Sequence, residues 1–273
     1  METISIDDAE LLLWVQRRDF VTCKHLKHYH AIDNSSASRK LRRLNKLGCL
    51  DRFKAIESVA EPYYYYLTPR GAKVICYFLG LDEQEVFVRR KNDAERLSLG
   101  FLEHARGIND FFTTLLYQST KSEYPGLITW LNSRECKVEM DSSGDLLIPD
   151  GFGEFDTGQE LVQFMFEYDR ETQTMGYLMD KMSKYIDFAE SEEWRDYGLE
   201  SFPRVLFLTQ RERWARNVKR KLEINARRLG KESVVRDSRF LFSWRGPSHD
   251  ENLLGEVWLR AFNGEALVSL VDR

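Results

Sequence analysis

The sequence predicts an α+β fold in two parts, and three observations predict it. Leucines at three-residue steps, Leu41, Leu44 and Leu47, mark one of three short amphipathic helices near the N-terminus, and two strand-like runs follow them. A charged, apolar-poor passage, DEQEVFVRRKNDAERL, then separates this region from the rest and puts a boundary near residue 90. Beyond it, strand-like runs interleave with amphipathic helices, the pattern of a mixed sheet covered by helices. The expected parts are therefore 1–90 and 91–273.

The first part can be justified element by element. DDAELLLWVQRRDF reads as a helix that Asp7 or Asp8 can cap, with Leu11, Leu12 and Val15 on one face. Thr22 can cap a second helix, TCKHLKHYH, and Asn34 or Ser35 a third, SSASRKLRRLNKLG. Gly48 stands where a left-handed helix end is expected. Leu50–Phe53 and Tyr63–Leu67 read as a hairpin, with the tyrosines alternating between core and surface, and Thr68-Pro69-Arg70-Gly71 opens a further helix.

In the second part a helix from about Asp93 to Gln118 carries Leu97, Phe101, His104, Ile108, Phe111, Phe112 and Leu115 on a wide apolar face. His104 reads there as a core histidine before a ligand. Strand-like runs follow at 127–131, 135–140, 146–149 and 161–168, then a helix from Thr172 to Glu190, a strand at 204–208 and a basic helix at 212–229.

Composition bounds the function classes. The chain has 273 residues, 42% of them hydrophobic and 31% charged, ordinary for a globular protein with ample length for a core. No apolar run reaches the roughly 18 residues a membrane span needs. METISIDDAE lacks the basic-then-apolar pattern of a signal peptide, so a cytoplasmic protein is expected. Cys23, Cys49, Cys76 and Cys136 form no CxxC pair, which argues against a zinc site and for reduced thiols. The net charge of −4 is unevenly placed. From Arg17 to Lys54 there are 11 basic residues against 3 acidic, and from Arg211 to Arg239 11 against 4. A polyanionic partner suits both segments, as does a solvated helical face.

Three helices and a hairpin in this order resemble a winged helix-turn-helix, with LRRLNKLGCLDRF as recognition helix and strand and YYYYLTPRGAKVI as strand and closing helix. Such a helix fits the major groove of double-stranded DNA. The side chains lying away from the leucine stripe are Ser35, Ser36, Ser38, Arg39, Arg42, Arg43 and Lys46, the expected DNA-binding set. The same face also suits a dimerisation helix, since some winged helices bind only protein.

The second part poses a different question: why the apolar run FMFEYDR ends in two carboxylates. Alternation along a strand puts Glu167 and Asp169 on one face, and the turn Pro149-Asp150-Gly151 brings a third acid to a strand end. This resembles the core of the PD-(D/E)XK nucleases, in which acids on adjacent strands hold Mg²⁺ and a lysine two residues after the acid positions the attacking water. Here Asp169 stands at the lysine position, so Lys181 or Lys184 would have to reach in from the next helix. The resemblance implies Asp150, Glu167, Asp169 and Lys184 as catalytic residues, and Asp150 and Glu167 as Mg²⁺ ligands, if the site is active. Otherwise no cofactor is expected, and an Asp169–Arg170 ion pair with Thr172 as cap accounts for the residues.

The winged helix ending in YYLTPRGAK, then LEHARGINDFF, IPDGFGEF and FMFEYDRET followed by LMDKMSKYIDF, together resemble the replication-relaxation family of plasmid and mobile-element proteins, from about residue 8 to about 225. The resemblance implies a DNA-binding protein acting in replication, relaxation or their regulation, with a nuclease-like domain lacking an established catalytic role. Double-stranded DNA, replication or relaxation proteins and a second copy of the chain are the implied partners. It places His104 as the motif histidine and Glu167, Asp169 and Arg170 as the acid pair with its arginine, and puts Glu171 where the family tends to have glycine. Two alternatives stay open: a Mg²⁺-dependent endonuclease, and a transcriptional regulator whose C-terminal domain senses a protein or peptide.

Overall fold

The structure is a computed structural model that describes residues 3–56, 58, 60–89, 93, 96–141, 144–237, 239–246 and 252–271. By packing it divides into two compact units, 1–113 and 114–273. The boundary expected near residue 90 lies outside the described residues. The class is α+β, as the sequence predicts. No helix among the described residues is long and apolar enough to cross a membrane.

In the first unit, α1 (Ile6–Arg17) starts from Ser5 rather than from Asp7 or Asp8. Asp8 instead completes a reciprocal cap: its carboxylate accepts from the Ser5 N–H at 3.0 Å, and the Ser5 hydroxyl accepts from the Asp8 N–H at 3.3 Å. α2 (Cys23–Tyr29) is capped by Thr22 as expected, and the ring of His25 returns the favour by accepting from the Thr22 N–H. α3 (Asn34–Lys46) is capped by Asp33, one residue before the expected Asn34 or Ser35. A single carboxylate oxygen there accepts the N–H groups of both Ser35 and Ser36.

Gly48, at φ 74°, then turns the chain into β1 (Leu50–Phe53), antiparallel to β2 (Tyr64–Leu67), and Val21 adds one bridge to Tyr65. Tyr64, Tyr65, Tyr66 and Leu67 are all buried, so the expected alternation with the surface fails. Tyr64 and Tyr66 join Phe20 and Leu102 in one cluster, while Tyr65 is closed off beside Val21 and takes a hydrogen bond from Arg52.

α4 (Pro69–Leu79) is capped by the Thr68 hydroxyl, which also donates to the Gly48 and Cys49 carbonyls. Gly71 is required here, because a Cβ would collide with the Cys49 carbonyl and the Leu67 side chain.

α5 (Leu99–Ser119) begins later than the expected Asp93, with the Ser98 hydroxyl accepting from the Phe101 N–H at 3.2 Å. Within the first unit its polar residues do the docking. Asn109 Nδ2 donates to the Arg18 and Phe20 carbonyls at 3.1 and 2.8 Å, Asp110 takes Lys24 at 3.0 Å, and Arg106 donates to the Tyr64 hydroxyl. The motif RGIND is thus a clamp. Phe111, Phe112 and Leu115 are buried as expected, whereas Phe101 is exposed and His104 half-buried.

The second unit is built on one mixed sheet. In spatial order its strands are β11 (Leu267–Ser269), β10 (Glu256–Arg260), β9 (Phe240–Ser243), β8 (Arg204–Leu208), β7 (Leu161–Tyr168), β6 (Gly151–Asp156) and β3 (Gly126–Asn132). β7, β8 and β9 run parallel; the other neighbours are antiparallel. β4 (Val138–Met140) and β5 (Asp145–Leu147) form a separate hairpin. α6 (Met175–Ser191) and α7 (Glu212–Arg228) pack Leu178, Met182, Tyr185, Ile186, Val218 and Leu222 onto Met165, Val205, Phe207 and Phe242. α8 (Glu232–Asp237) adds Val235 to the same core. α6 is capped by Thr174, not Thr172, and the turn before it is set by Glu171 at φ 63°.

Candidate functional site

α3 exposes one strongly cationic face. Ala37, Leu41 and Leu44 are buried, and Ser35, Arg39, Arg42 and Lys46 recur at four- and three-residue steps opposite them, within about 60° of arc at 3.6 residues per turn. Arg39, Lys40, Arg42 and Lys46 are exposed and have no carboxylate partner among the described residues.

The other expected members of the set are engaged internally. Arg43 is half-buried and ion-paired to Asp8 of α1. Burial works to raise the Asp8 carboxyl, but the Arg43 guanidinium and the Ser5 bonds hold it below its ordinary value. The hydroxyls of Ser35 and Ser36 donate to the Asp33 carboxylate at 2.5 and 2.6 Å. Ser38 is half-buried. Lys40, not part of the expected set, is exposed about 100° of arc from Arg39, towards the buried side of the helix.

Beside α3, the exposed ring of Tyr63 lies 4.1 Å under the Arg52 guanidinium, with Lys54 at 5.1 Å.

The acidic residues of the second unit do come together in part. Asp150 precedes β6, where its N–H donates to the Phe166 carbonyl and its carboxylate accepts from the Tyr168 N–H at 2.8 Å, so it straddles Glu167 on the neighbouring strand. Glu167 is buried. Its Oε2 lies 2.5 Å from Lys181 Nζ and its Oε1 accepts from the Tyr185 hydroxyl, both side chains descending from α6. Burial raises the Glu167 carboxyl to about 7, and the Asp150 charge pushes the same way against Lys181 and Tyr185. Burial opposes the Lys181 charge, yet Glu167 and Asp150 keep its affinity for the proton above the ordinary lysine value. The neighbouring Cys136 thiol is pushed up to about 12 by burial and by the same two acids.

Of the two candidate lysines, then, Lys181 meets the acid. Lys184 turns to Asp145 at 3.1 Å and to the Leu146 carbonyl. Asp169 is buried but separately engaged: its oxygens accept from the Glu171 N–H at 2.7 Å and from the Trp214 indole at 2.6 Å. Glu171 holds a backbone conformation that favours glycine, anchored by a hydrogen bond from Thr209 at 2.8 Å and an ion pair with Arg211.

This donor set does not suit Mg²⁺. The ion wants several carboxylate or carbonyl oxygens with open lone pairs around one point. Here an ammonium and a phenol occupy the two oxygens of Glu167, and the Asp169 oxygens face an N–H and an indole instead. Among the described residues no three His, Cys, Asp or Glu side chains gather as cation ligands. No metal-dependent step follows from this arrangement.

No curated protein and no solved structure matches the chain. A family model does: the replication-relaxation model covers residues 12–205, a span that takes in the end of α1, all of α2 and α3, the RGIND clamp and the Asp150–Glu167–Lys181 cluster. With most of its length matched in this way, the chain belongs to the replication-relaxation family.

Proposed function

We propose that this is a DNA-binding protein of a plasmid or other mobile element, acting in replication or relaxation or in their control. In this reading residues 1–90 work as a winged helix-turn-helix and α3 is the helix that meets duplex DNA. The observation carrying it is the outward row Arg39, Arg42 and Lys46, unneutralised by any carboxylate among the described residues. Cations left open in this way are suited to displacing counterions from phosphates. The family membership supports the replication or relaxation setting.

The second unit, in the same reading, is a nuclease-like fold without cleavage chemistry, serving assembly or regulation. Its support is the engagement of Glu167 by Lys181 and Tyr185. Asp150, Glu167 and Lys181 make a buried cluster in which both Glu167 oxygens already accept hydrogen bonds from the protein.

The test is binding to a duplex of mixed sequence as salt is raised. Wild type should lose affinity steeply, with a slope of about −0.9 per phosphate contact. Arg39→Ala/Arg42→Ala/Lys46→Ala should weaken binding by at least 10-fold, about 1.4 kcal/mol, while melting like the wild type. A flat salt response, or unchanged affinity in the triple variant, refutes the reading. Incubation with supercoiled plasmid and Mg²⁺ or Mn²⁺ checks the second claim, because nicking that Glu167→Ala abolishes would make the protein an endonuclease.

A further inference from the structure

We infer that α7 carries a second surface for the phosphate backbone of DNA, formed by Arg213, Arg220, Lys221 and Arg228. The structure sorts ten of the 11 cations of the 211–239 segment into two groups, the half-buried Arg239 standing apart from both. Arg211, Arg216, Lys219, Arg227, Lys231 and Arg236 are each ion-paired, to Glu171, to Glu212 and Glu265, to Glu223, to Glu232, to Asp187 and Glu190, and to Glu232 respectively. These serve the fold of the unit. Arg213, Arg220, Lys221 and Arg228 are exposed and meet no carboxylate among the described residues. Arg220 and Arg228 are steadied instead by the neutral side chains of Asn217 and Asn225, at 3.2 and 3.0 Å.

Their placement on the helix is ordered. With 3.6 residues per turn, the four fall within about 100° of one another, directly opposite the face that Ala215, Val218, Leu222 and Ala226 bury. From Arg213 to Arg228 the row extends about 22 Å at 1.5 Å per residue. A focal anion such as a nucleotide would need those charges to converge. A row of this length instead matches a line of charge, and duplex DNA offers one phosphate for about every 1.7 Å of axis. At the first end, Arg213, Asn217 and Arg220 border an open groove of about 660 Å³, lined also by Trp214 and by Glu223 and Glu265, which are paired to Lys219 and Arg216. Ile224 is the apolar side chain exposed midway along the row, too little hydrophobic area for a protein interface core.

The inference extends the proposed DNA-binding reading and can fail separately from it. The experiment uses the full chain and compares three proteins by fluorescence anisotropy on a duplex of mixed sequence, between about 50 and 200 mM salt. One is wild type, one carries Arg39→Ala/Arg42→Ala/Lys46→Ala, and one carries Arg213→Gln/Arg220→Gln/Lys221→Gln/Arg228→Gln. The α7 variant should bind at least 10-fold more weakly at the lower salt and lose about 0.9 from the salt slope for each phosphate contact removed. The charge-keeping variant Arg213→Lys/Arg220→Lys/Arg228→Lys should restore the wild-type slope, which separates lost charge from lost fold. If the α7 glutamine variant keeps both affinity and slope, the inference is overturned, and a loss confined to the α3 variant leaves the DNA-binding reading standing alone. If α7 substitution weakens binding and α3 substitution does not, the second surface stands and the α3 reading falls. Should the glutamine variant lose attachment only to anionic vesicles or to an acidic protein, with DNA binding intact, the inference is equally overturned.

Discussion

Lys181 Nζ reaches Glu167 Oε2 at 2.5 Å from one helix turn away from Tyr185, which holds the other oxygen of the same carboxylate. The pair lies at the end of β7 and makes that position part of the core. Removing one partner leaves a buried charge without compensation. Lys181→Met should therefore cost about 3–5 kcal/mol at pH 8 and distinctly less at pH 5, where the carboxyl can take a proton. Urea denaturation at both pH values, with the Glu167→Gln/Lys181→Met double variant recovering part of the loss, checks it.

The pH dependence of Glu167 has a definite sign. Its carboxyl titrates near 7 in the folded chain and from 4.5 when unfolded, so between these values the native state holds a proton the unfolded state has released. Its favourable contribution is complete below about 4.5 and lost as pH rises through about 7. Wild type should thus lose about 3 kcal/mol over that window relative to Glu167→Gln, which has no proton to lose. Parallel stability curves for the two proteins would contradict this.

Asp110 runs the other way. Burial opposes its charge, but His25 and Lys24 bring its carboxyl down to about 2 from 3.8. Its contribution is complete above about 3.8 and lost as pH falls through about 2. Asp110→Asn should be less stable than wild type by about 2 kcal/mol at pH 7, with the gap closing in acid. His28 adds to acid sensitivity, since burial and then Lys24 and Lys27 lower it to about 4, and its neutral form favours the fold until pH falls from 6.5 towards that value.

Gly71 should tolerate no side chain. A Cβ would meet the backbone of Cys49, which cannot swing aside as a flexible side chain could. Gly71→Ala should lower stability by about 1–3 kcal/mol, read as a drop in thermal midpoint, and Gly80→Ala, where the space is open but φ is 69°, should cost less.

Arg43 and Arg39 should separate stability from binding. Arg43→Ala breaks the tie to Asp8 and should lower the melting midpoint, whereas Arg39→Ala should leave the midpoint unchanged and weaken DNA binding. Measuring both properties on both variants decides whether the two neighbouring arginines divide their tasks.

Much of the fold was legible in the residues, and the misses have physical causes. The leucine stripe of α3, the Thr22 and Thr68 caps, Gly48, β7 and β8 all rest on short-range signals that tertiary packing did not override. β6 was missed because Gly151 and Gly153 interrupt its apolar alternation; the structure needs Gly153 where a Cβ would strike the Phe164 ring. β9, β10 and β11 lie beyond the last helix that the sequence marks, and β11, three residues long, sits at the sheet edge against β10 alone. At the site, alternation correctly brought Glu167 and Asp169 to a helix-covered face, but spacing could not choose between Lys181 and Lys184. Nothing local marks Tyr185, a buried phenol, as the partner of an acid.

Asp33 has a consequence for what α3 can distinguish. By gathering the hydroxyls of Ser35 and Ser36 onto its own carboxylate, it commits their O–H donors and leaves only their lone pairs to accept at the start of that face. The donors left on the outward row are the guanidinium and ammonium groups of Arg39, Arg42 and Lys46, which accept nothing. Guanine, with two acceptors side by side in the major groove, is the base such a surface prefers. A binding site enriched in G·C steps under α3 is the outcome to look for when bound fragments are sequenced.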